Sequence, residues 1–464
     1  MEKITTYSQV MSLRNAARRR NAAMQAQIRE YEAAYALSYI DRNDDRLTVA
    51  GMHIPNGTPV HLPSTGPATI DRFVEQLHTD RPHVSLGPIL RGRNLDQRKR
   101  KLAAFGNYAM ERIAESEDRN IWTDVIFSLT SRGSACVRLL FDPDMWPEDE
   151  AERKYAWPFL LRSVHPSNVY LPPGHHWPYE WAIEEQQRFY GDLSEEYPSW
   201  MPAKQDDGKE WEYEDVVDVV VFWSDTDYIL FAGGTEVTSV KNTLGIVPYV
   251  FGYSGFGHQS LYNDPATESI GLLHHSLTEL AAEARLRTMS DALWQQSVWP
   301  TLIGTISEEE FKMKWSAGAG RYISVNDMQK EKPEWLEPVP ISGHMLSLLP
   351  QLHASIEHAT YSDQLTGEAD SSIRSGTQAG MGIGQARARV DKVRAAVERM
   401  ASRIIGIAGR YVQYELEESF PCGESTLISP TDIGNFDGFR VEFLSVDPAA
   451  DSARMSTGLA PSVS

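Results

Sequence analysis

The sequence is short of cysteine and of long apolar runs. Only two of its 464 residues are cysteines, Cys136 and Cys422, which is a weak basis for a disulfide framework and favours a reducing cytosol. Among the longest apolar runs is Val216–Trp223, which Asp218 interrupts, so nothing approaches the length needed to span a bilayer. The first residues, MEKITTYSQV, do not show the charged-then-apolar pattern of a secretory signal. The sequence therefore predicts neither a disulfide-rich secreted protein nor a membrane protein.

Positive charge is also scarce. The chain has 44 lysines and arginines against 64 aspartates and glutamates, a formal net charge of −20. Proteins that wrap tightly on nucleic acid use a basic surface to replace counterions, so this charge argues against that class. It is compatible with a surface that repels DNA. Hydrophobic residues at 41% and charged residues at 23% indicate a globular chain, and its length suits about two to four structural units.

The first half of the chain reads as helices followed by a β-rich block. Helices are predicted over 10–37 and 68–79, and two more follow between 91 and 133, where Gly133 ends the second because helix C-termini favour glycine. Turn residues then separate short β-rich runs, which predict strands at 136–141, 159–164, 168–171, 181–189, 216–223, 228–231, around 237 and at 246–251. The predicted fold class is α+β, with mostly antiparallel pairing in residues 134–257.

Beyond Pro265 the pattern changes to long helices. One helix is predicted over 266–298, with Asp264 as its N-cap and Pro300 as its stop. A small module of strand, helix and two strands follows from 301 to about 341, and then a helix over about 343–363.

The longest predicted helix, 385–420, follows the glycine-rich stretch GEADSSIRSGTQAGMGIG at 367–384. Apolar side chains spaced three and four residues apart give it one packing face: Val390, Val393, Val397, Met400, Ile404, Ile407, Tyr411 and Tyr414. Basic side chains lie off that face, and we expect them to pair with acidic neighbours between subunits rather than to form a DNA track: Arg387, Arg389, Lys392, Arg394, Arg399, Arg403 and Arg410. A strand is predicted at 438–446, and a polar tail follows it.

No pattern for catalysis or cofactor binding assembles in this sequence. The glycine-rich stretch lacks the lysine of a phosphate-binding Walker loop, and no strand precedes its G-x-G-x-G as a dinucleotide site requires. The histidine pairs are adjacent rather than four apart, the helical spacing of a metal pair. Asp218, Asp225 and Asp227 suit a cation, but hairpin turns favour aspartate anyway. The sequence predicts no catalytic residue, no cofactor and no metal site.

The order of these elements, and two local stretches, resemble the portal protein of tailed double-stranded DNA bacteriophages. SVKNTLGIVPYVFGYSGFG, with Gly245 and Pro248, resembles the strand that precedes the first stem helix in that family. HPSNVYLPPG at 165–174 looks like a segment of the wing. The resemblance covers about 60–460 in this numbering. It implies a homo-oligomeric ring, usually of about twelve subunits, at one capsid vertex of the virion, assembled in the host cytoplasm.

The resemblance also implies a division of the chain: an N-terminal helical part of the wing (1–133), a β-rich wing (134–263), a first stem helix (264–299), a clip (300–341), a second stem helix (342–365), a tunnel loop (366–384), a long helix at the wing–crown junction (385–420) and a returning wing strand with a tail (421–464). Many portals end in a helical crown, and this chain stops soon after the returning strand. The crown is expected to be absent, short or outside this chain.

The implied roles are structural. The tunnel loop would meet the passing DNA without reading bases, through Asp370, Ser371, Ser372, Arg374, Ser375, Thr377 and Gln378. The clip would contact the terminase large subunit of the packaging motor and then the head–tail connector, through Glu308, Glu309, Glu310, Lys312 and Lys314. The wing edge would contact the major capsid protein, and no membrane is involved.

Two alternatives stay open. One is another structural protein of a large assembly, such as a head–tail adaptor, although that class is usually shorter and lacks the helix–clip–helix order. The other is an enzyme, a metal-dependent nuclease or hydrolase that uses Asp218, Asp225 and Asp227.

Overall fold

A computed structural model describes most of the chain. It covers residues 6–38, 40–43, 46–49, 52–54, 60–77, 82–87, 95–115, 120–154, 156–174, 177–202, 209–260, 262–298, 302–303, 334–335, 343–360, 376–416, 418–423, 426–434 and 436–443. The chain forms two compact units. The first holds residues 1–32, 68–274 and 362–464, and the second holds 33–67 and 275–361.

The chain contains both helices and strands along its whole described length. The helices are α1 (Tyr7–Tyr35), α2 (Thr65–Glu75), α3 (Leu95–Glu115), α4 (Ile121–Arg132), α5 (Glu150–Arg153), α6 (Tyr190–Glu196), α7 (Pro265–Glu268), α8 (Leu277–Val298), α9 (Gly343–Ala359), α10 (Gly376–Tyr411) and α11 (Pro430–Ile433). The strands are β1 (Ile40–Asn43), β2 (Arg46–Val49), β3 (Met52–Ile54), β4 (Pro82–Leu86), β5 (Ser134–Phe141), β6 (Phe159–Val164), β7 (Val169–Tyr170), β8 (Trp181–Phe189), β9 (Val216–Ser224), β10 (Asp227–Ala232), β11 (Thr235–Lys241), β12 (Tyr249–Tyr253), β13 (Leu302–Ile303), β14 (Glu334–Trp335), β15 (Phe420–Cys422), β16 (Thr426–Ile428) and β17 (Phe439–Phe443).

Two antiparallel sheets form the centre of the first unit. One has five strands in the order β11-β10-β9-β8-β7, and the other has three in the order β12-β5-β6. Each of these pairings is antiparallel. The α+β class and the antiparallel pairing predicted for residues 134–257 are therefore confirmed.

The five-stranded sheet is covered on both faces. Ile183 and Phe222 lie on the face where Val10 and Ala17 of α1 pack. Val221 lies in the opposite cluster, with Leu193 of α6 and Trp200. Successive residues of a strand point to opposite faces, so a strand covered on both sides reads as the near-continuous apolar run seen at 216–223.

The helix predicted over 266–298 is wrong in its first part. α7 ends at Glu268, and the next long helix, α8, begins only at Leu277. Between them the chain also bonds to the end of α4: Leu272 N donates to Thr130 O at 2.8 Å, and Ser269 Oγ donates to Arg132 O at 3.1 Å. A helical register would leave these partners unused, so tertiary hydrogen bonds override helix propensity here.

The predicted caps around this region are confirmed. Asp264 accepts a hydrogen bond from Ala266 N and Pro265 occupies the first turn of α7. Gly133 follows α4 in the left-handed conformation, with φ of 78°. Both features follow from local chemistry, because aspartate accepts from free amides and glycine alone enters positive φ without strain.

The second unit contains the helices on either side of the predicted clip. α8 and α9 pack against each other. The strand after α8, β13, pairs antiparallel with β14, which precedes α9, through Leu302 with Trp335 and Ile303 with Glu334. The rest of the predicted clip lies outside the described residues. A three-stranded antiparallel sheet, β1-β2-β3, belongs to the same unit and was not predicted.

The C-terminal part of the chain returns to the first unit as predicted. β17 confirms the strand predicted at 438–446, and it pairs antiparallel with β4. The helix predicted to reach residue 420 ends earlier, at Tyr411, and a π-helical turn follows over Val412–Leu416. β15 and β16 then form a short antiparallel pair that was not predicted. Within the described part of the chain, no helix has the length and apolar character of a membrane span.

Candidate functional site

The residues predicted to contact DNA lie around the start of α10. Thr377 and Gln378 are in its first turn, since the helix begins at Gly376. The prediction of a loop throughout 366–384 is therefore wrong from 376 onward. Each glycine costs a helix only about 1 kcal/mol relative to alanine, and extending an existing long helix adds a hydrogen bond per residue, so a glycine-rich end can remain helical.

The other predicted contact residues lie outside the described part of the chain. For the tunnel loop these are Asp370, Ser371, Ser372, Arg374 and Ser375, and for the clip Glu308, Glu309, Glu310, Lys312 and Lys314. Their roles stay predictions.

α10 is anchored by the apolar face that the sequence predicted. The buried side chains are Val390, Val393, Val397, Met400, Ile404, Ile407 and Tyr411. The eighth predicted member, Tyr414, lies in the π-helical turn and is half-buried. The helix packs against β17, β12, α4 and α3. The element that directly follows the predicted tunnel loop is thus a long helix buried along one side in the first unit.

Hydrogen bonds fix α10 to the returning strand. Glu398 Oε1 accepts from Phe443 N at 3.0 Å, and Ser402 Oγ accepts from Val441 N at 3.0 Å. Burial raises the pKa of the Glu398 carboxyl, and the bond from Phe443 only partly offsets this effect. Helix α10 therefore supplies side-chain acceptors to two strand amides that β4 does not use.

The basic side chains of α10 are largely engaged within the chain. Arg394 pairs with Asp391 at 3.1 Å, and Arg410 Nη1 donates to Leu244 O at 3.3 Å. Arg403 lies over the Trp177 ring, 5.5 Å from its centroid, and burial lowers its pKa. Arg399 donates to Ala395 O of its own helix. Of these contacts only the Arg394–Asp391 pair neutralises a cation; the others fix the position of an arginine within its own chain, and pairing between subunits stays a prediction.

The second unit has a polar interior around α8. Glu283 is only 1% exposed; it pairs with Arg287 at 2.8 Å and accepts from Thr65 Oγ1 at 3.2 Å. Thr288 is also buried and bonds to the backbone of His61. Few described apolar side chains of this unit are buried, among them Leu280, Ala284 and Ile356.

Apolar side chains of α8 also face outward. Trp294 is 58% exposed and Met289 is 41% exposed. A helix with apolar residues on several sides needs neighbours on several sides. Tryptophan is enriched at protein interfaces, so Trp294 is the residue of α8 that would contribute most to a contact with another protein.

A buried ion pair lies between the two central sheets. Arg138 of β5 donates through Nη1 to Glu184 Oε2 of β8 at 2.7 Å, and the Tyr249 hydroxyl of β12 donates to the same oxygen. Burial alone would lower the pKa of Arg138, but Tyr249 and Glu184 outweigh it and raise that pKa above its ordinary value. The sequence analysis missed this group, although the arginine inside CVRLLF and the glutamate inside WAIEE were its signals.

The three aspartates of the hydrolase alternative do not come together as a metal site. Asp218 accepts from Gln187 Nε2 at 3.1 Å, and Asp227 accepts from Thr226 Oγ1 at 2.7 Å within the β9–β10 hairpin. Across the described ranges no group of three or more metal-binding side chains is present. The hydrogen bonds of the hairpin explain why an aspartate occurs at position 227.

Both cysteines are free and buried. Burial is the main cause that raises the pKa of the Cys136 thiol, and it raises the pKa of Cys422 to about 12. Thiols of this kind are poor nucleophiles because the thiolate is the reactive form.

Comparison with known proteins adds no assignment. No protein-family model matches the chain, and no curated protein matches its sequence.

Proposed function

We propose that this chain is the subunit of a portal ring in a tailed double-stranded DNA bacteriophage, and that the ring is the channel through which the genome is packaged and ejected. In this proposal the protein is structural and has no enzymatic activity. Its partners are further copies of itself, the major capsid protein, the terminase motor, the head–tail connector and non-specifically held DNA.

The chain order supports the proposal. The strands of β5–β12 precede α8, the β13–β14 pair follows it, and α9 and α10 return the chain to β17. Residues 275–361, one continuous segment of the second unit, fall within 264–365, the region predicted as stem and clip, whereas the unit's other segment, 33–67, falls in the predicted N-terminal part of the wing. An insertion built of two packed helices and a two-stranded pair buries little apolar surface by itself.

The outward-facing Trp294 and Met289 of α8 are the observation that carries the proposal. A helix with a polar, ion-paired side at Glu283 and Arg287 and an exposed tryptophan elsewhere would gain apolar burial from a second copy of the chain. In a closed ring every copy supplies that neighbour, and a head-to-tail contact repeats until it closes.

Charge is consistent with a channel that releases its DNA. A strongly basic wall would bind DNA through counterion release and slow its movement. The chain's net charge of −20 is not that of a strongly basic wall, and Arg394 of α10 is neutralised by Asp391. We expect a channel of this composition to hold DNA weakly.

Native mass measured over a concentration series tests ring formation. We expect an assembly near about twelve times the chain mass of 52.2 kDa, or a neighbouring ring number. Trp294→Ser should raise the concentration needed for assembly, while Met145→Ser, which removes a 46% exposed apolar side chain of the first unit, should not. A monomer or dimer at every concentration would contradict the proposal, and metal-dependent hydrolysis would be assayed next.

Shortening the predicted tunnel loop tests the channel. Deletion of residues 371–375 leaves the start of α10 at Gly376 in place. Ring mass should stay unchanged while DNA packaging or retention falls. Deletion of the same number of residues within 203–208, in the predicted wing, is the control. Normal packaging by the 371–375 deletion would show that this segment is not the tunnel loop.

A further inference from the structure

A cavity of about 570 Å³ lies in the first unit, among strands of both central sheets and the end of α10. Its wall includes four cationic side chains, Arg138, Arg162, Arg188 and Lys241, and two carboxylates, Glu196 and Glu415. The volume is within the range of sites for small molecules, about 300–1,000 Å³. A cation-rich wall is notable in a chain whose net charge is −20.

Two of these cations are left without a carboxylate. Arg188 pairs with Glu196 at 2.6 Å, and Arg138 pairs with Glu184. Neither Arg162 nor Lys241 has an acidic partner within 4.0 Å among the residues that the structure describes; both are exposed, and Lys241 lies directly opposite Asp227 in the β10–β11 register. Glu415, on the same wall, accepts its bond from the Thr243 hydroxyl.

Strand pairing brings two arginines together. Arg162 of β6 lies directly opposite Arg138 of β5 in the antiparallel register, so both side chains are on one face of the sheet. Like charges directly opposite each other destabilise a sheet. An anion in the cavity would turn this repulsion into attraction.

Unused donors and aromatic rings border the same space. Arg138 Nε and Trp223 Nε1 are buried and have no hydrogen-bond partner among the described residues. Buried donors without partners are uncommon in proteins. Trp223 and Tyr228 both line the cavity, with ring centroids 4.5 Å apart, and Tyr197 also contributes to the wall. Rings of this kind offer faces and edges to a flat ligand.

We propose that this cavity binds a phosphate monoester attached to a flat ring, a ligand of the nucleoside monophosphate class. Arg162 and Lys241, the two wall cations without an ion-pair partner, would bind the phosphate, which carries about −1.5 to −2 at pH 7 and accepts from both. Trp223 and Tyr228 contact the ring. The proposal goes beyond ring assembly and applies to the chain in any oligomeric state.

Calorimetry and thermal unfolding of the full chain with adenosine monophosphate, adenosine and inorganic phosphate test this site. We expect adenosine monophosphate to bind with a Kd below about 1 mM and to raise the Tm, with the other two binding at least about tenfold more weakly. Arg162→Gln and Lys241→Gln should each weaken binding of adenosine monophosphate about tenfold or more, because each removes a charge-assisted bond. Lys392→Gln, an exposed cation of α10 outside this cavity, is the control and should bind as the unchanged chain does.

The Tm of the Arg162→Gln variant without ligand is a second test. Because the substitution relieves the repulsion with Arg138, its Tm without ligand should be equal to or above that of the unchanged chain. No binding of adenosine monophosphate at about 5 mM would overturn the proposal. Unaltered binding by both variants, or equal affinity for inorganic phosphate and adenosine monophosphate, would do the same.

Discussion

Removing the charge of Glu184 should strongly destabilise the first unit. Arg138 and Glu184 are 8% and 5% exposed, and each is the other's only counter-charge within 4.0 Å in the described chain. Glu184→Gln keeps an oxygen that accepts from Arg138 and Tyr249, so the substitution removes charge and leaves shape and hydrogen bonding nearly unchanged. The substitution therefore measures the unfolding free energy lost when the buried guanidinium of Arg138 has no counter-charge.

The size of the effect follows from that burial. Breaking a buried ion pair by removing one partner costs about 3–5 kcal/mol of unfolding free energy. The retained hydrogen bonds, and the cavity on which Arg138 borders, place Glu184→Gln at the lower end, about 3 kcal/mol. Replacing the whole group by Arg138→Met, Glu184→Leu and Tyr249→Phe leaves none of the group's own polar atoms buried and unpaired, and this triple variant should lie within about 2 kcal/mol of the unchanged chain.

Urea unfolding followed by tryptophan fluorescence measures both variants. Glu184→Gln should lower the midpoint by about 1 M or more. The matched control is Asp391→Asn, which breaks the Arg394–Asp391 pair, since Asp391 is 61% exposed and its pair is worth well under about 1 kcal/mol. If Glu184→Gln cost no more than Asp391→Asn, the buried pair would be solvated in solution and the argument from burial would fail.

Two further changes test local features. Gly133→Ala should lower the free energy of unfolding by about 2 kcal/mol or more, because φ is 78° and the new Cβ would lie 2.5 Å from backbone carbons of Ser269 and Ile270. The control is Gly245→Ala, which has φ of 65° but nothing within 4 Å of the new Cβ, so it measures the cost of the backbone conformation alone. Equal losses of the urea midpoint in both variants would show that the steric clash at Gly133 does not contribute. Glu32 accepts hydrogen bonds from Arg132 and His165, and although burial raises the pKa of Glu32, these partners lower it overall from 4.5. Ionised Glu32 therefore adds stability above about pH 4.5, and this stability is lost as the pH falls through the folded-state pKa. Glu32→Gln should then flatten the fall of the urea midpoint between about pH 5 and pH 3. An unchanged acid slope in that variant would count against the Glu32 contacts.

The sequence predicted best where chemistry is local. Turn residues and β-rich runs located β6 and β8 with both ends correct, and the apolar period of α10 identified seven buried side chains. The caps at Asp264 and Gly133 belong to the same kind of signal, because a cap depends on residues within one turn.

Prediction failed where distant segments decide. The break between α7 and α8 arises from carbonyls of α4 that lie more than a hundred positions earlier, and no local signal marks them. The Arg138–Glu184 pair needs the packing of two sheets, so sequence alone shows only a charge in an apolar strand. In the candidate site, propensity placed the start of α10 too late because propagation from a well-packed helix outweighs the cost of several glycines.

The position of that helix start changes how the predicted tunnel loop is supported. α10 is held along its buried face and by the bonds from Phe443 and Val441 to Glu398 and Ser402. The helix includes this first turn, so Thr377 and Gln378 belong to α10. In the proposed portal, movement of the tunnel loop toward DNA would therefore come from residues before Gly376, and the glycines at 380, 382 and 384 would lie in the helix and not in a hinge. Stiffening them with alanine should therefore leave DNA retention intact, whereas shortening 371–375 should abolish it.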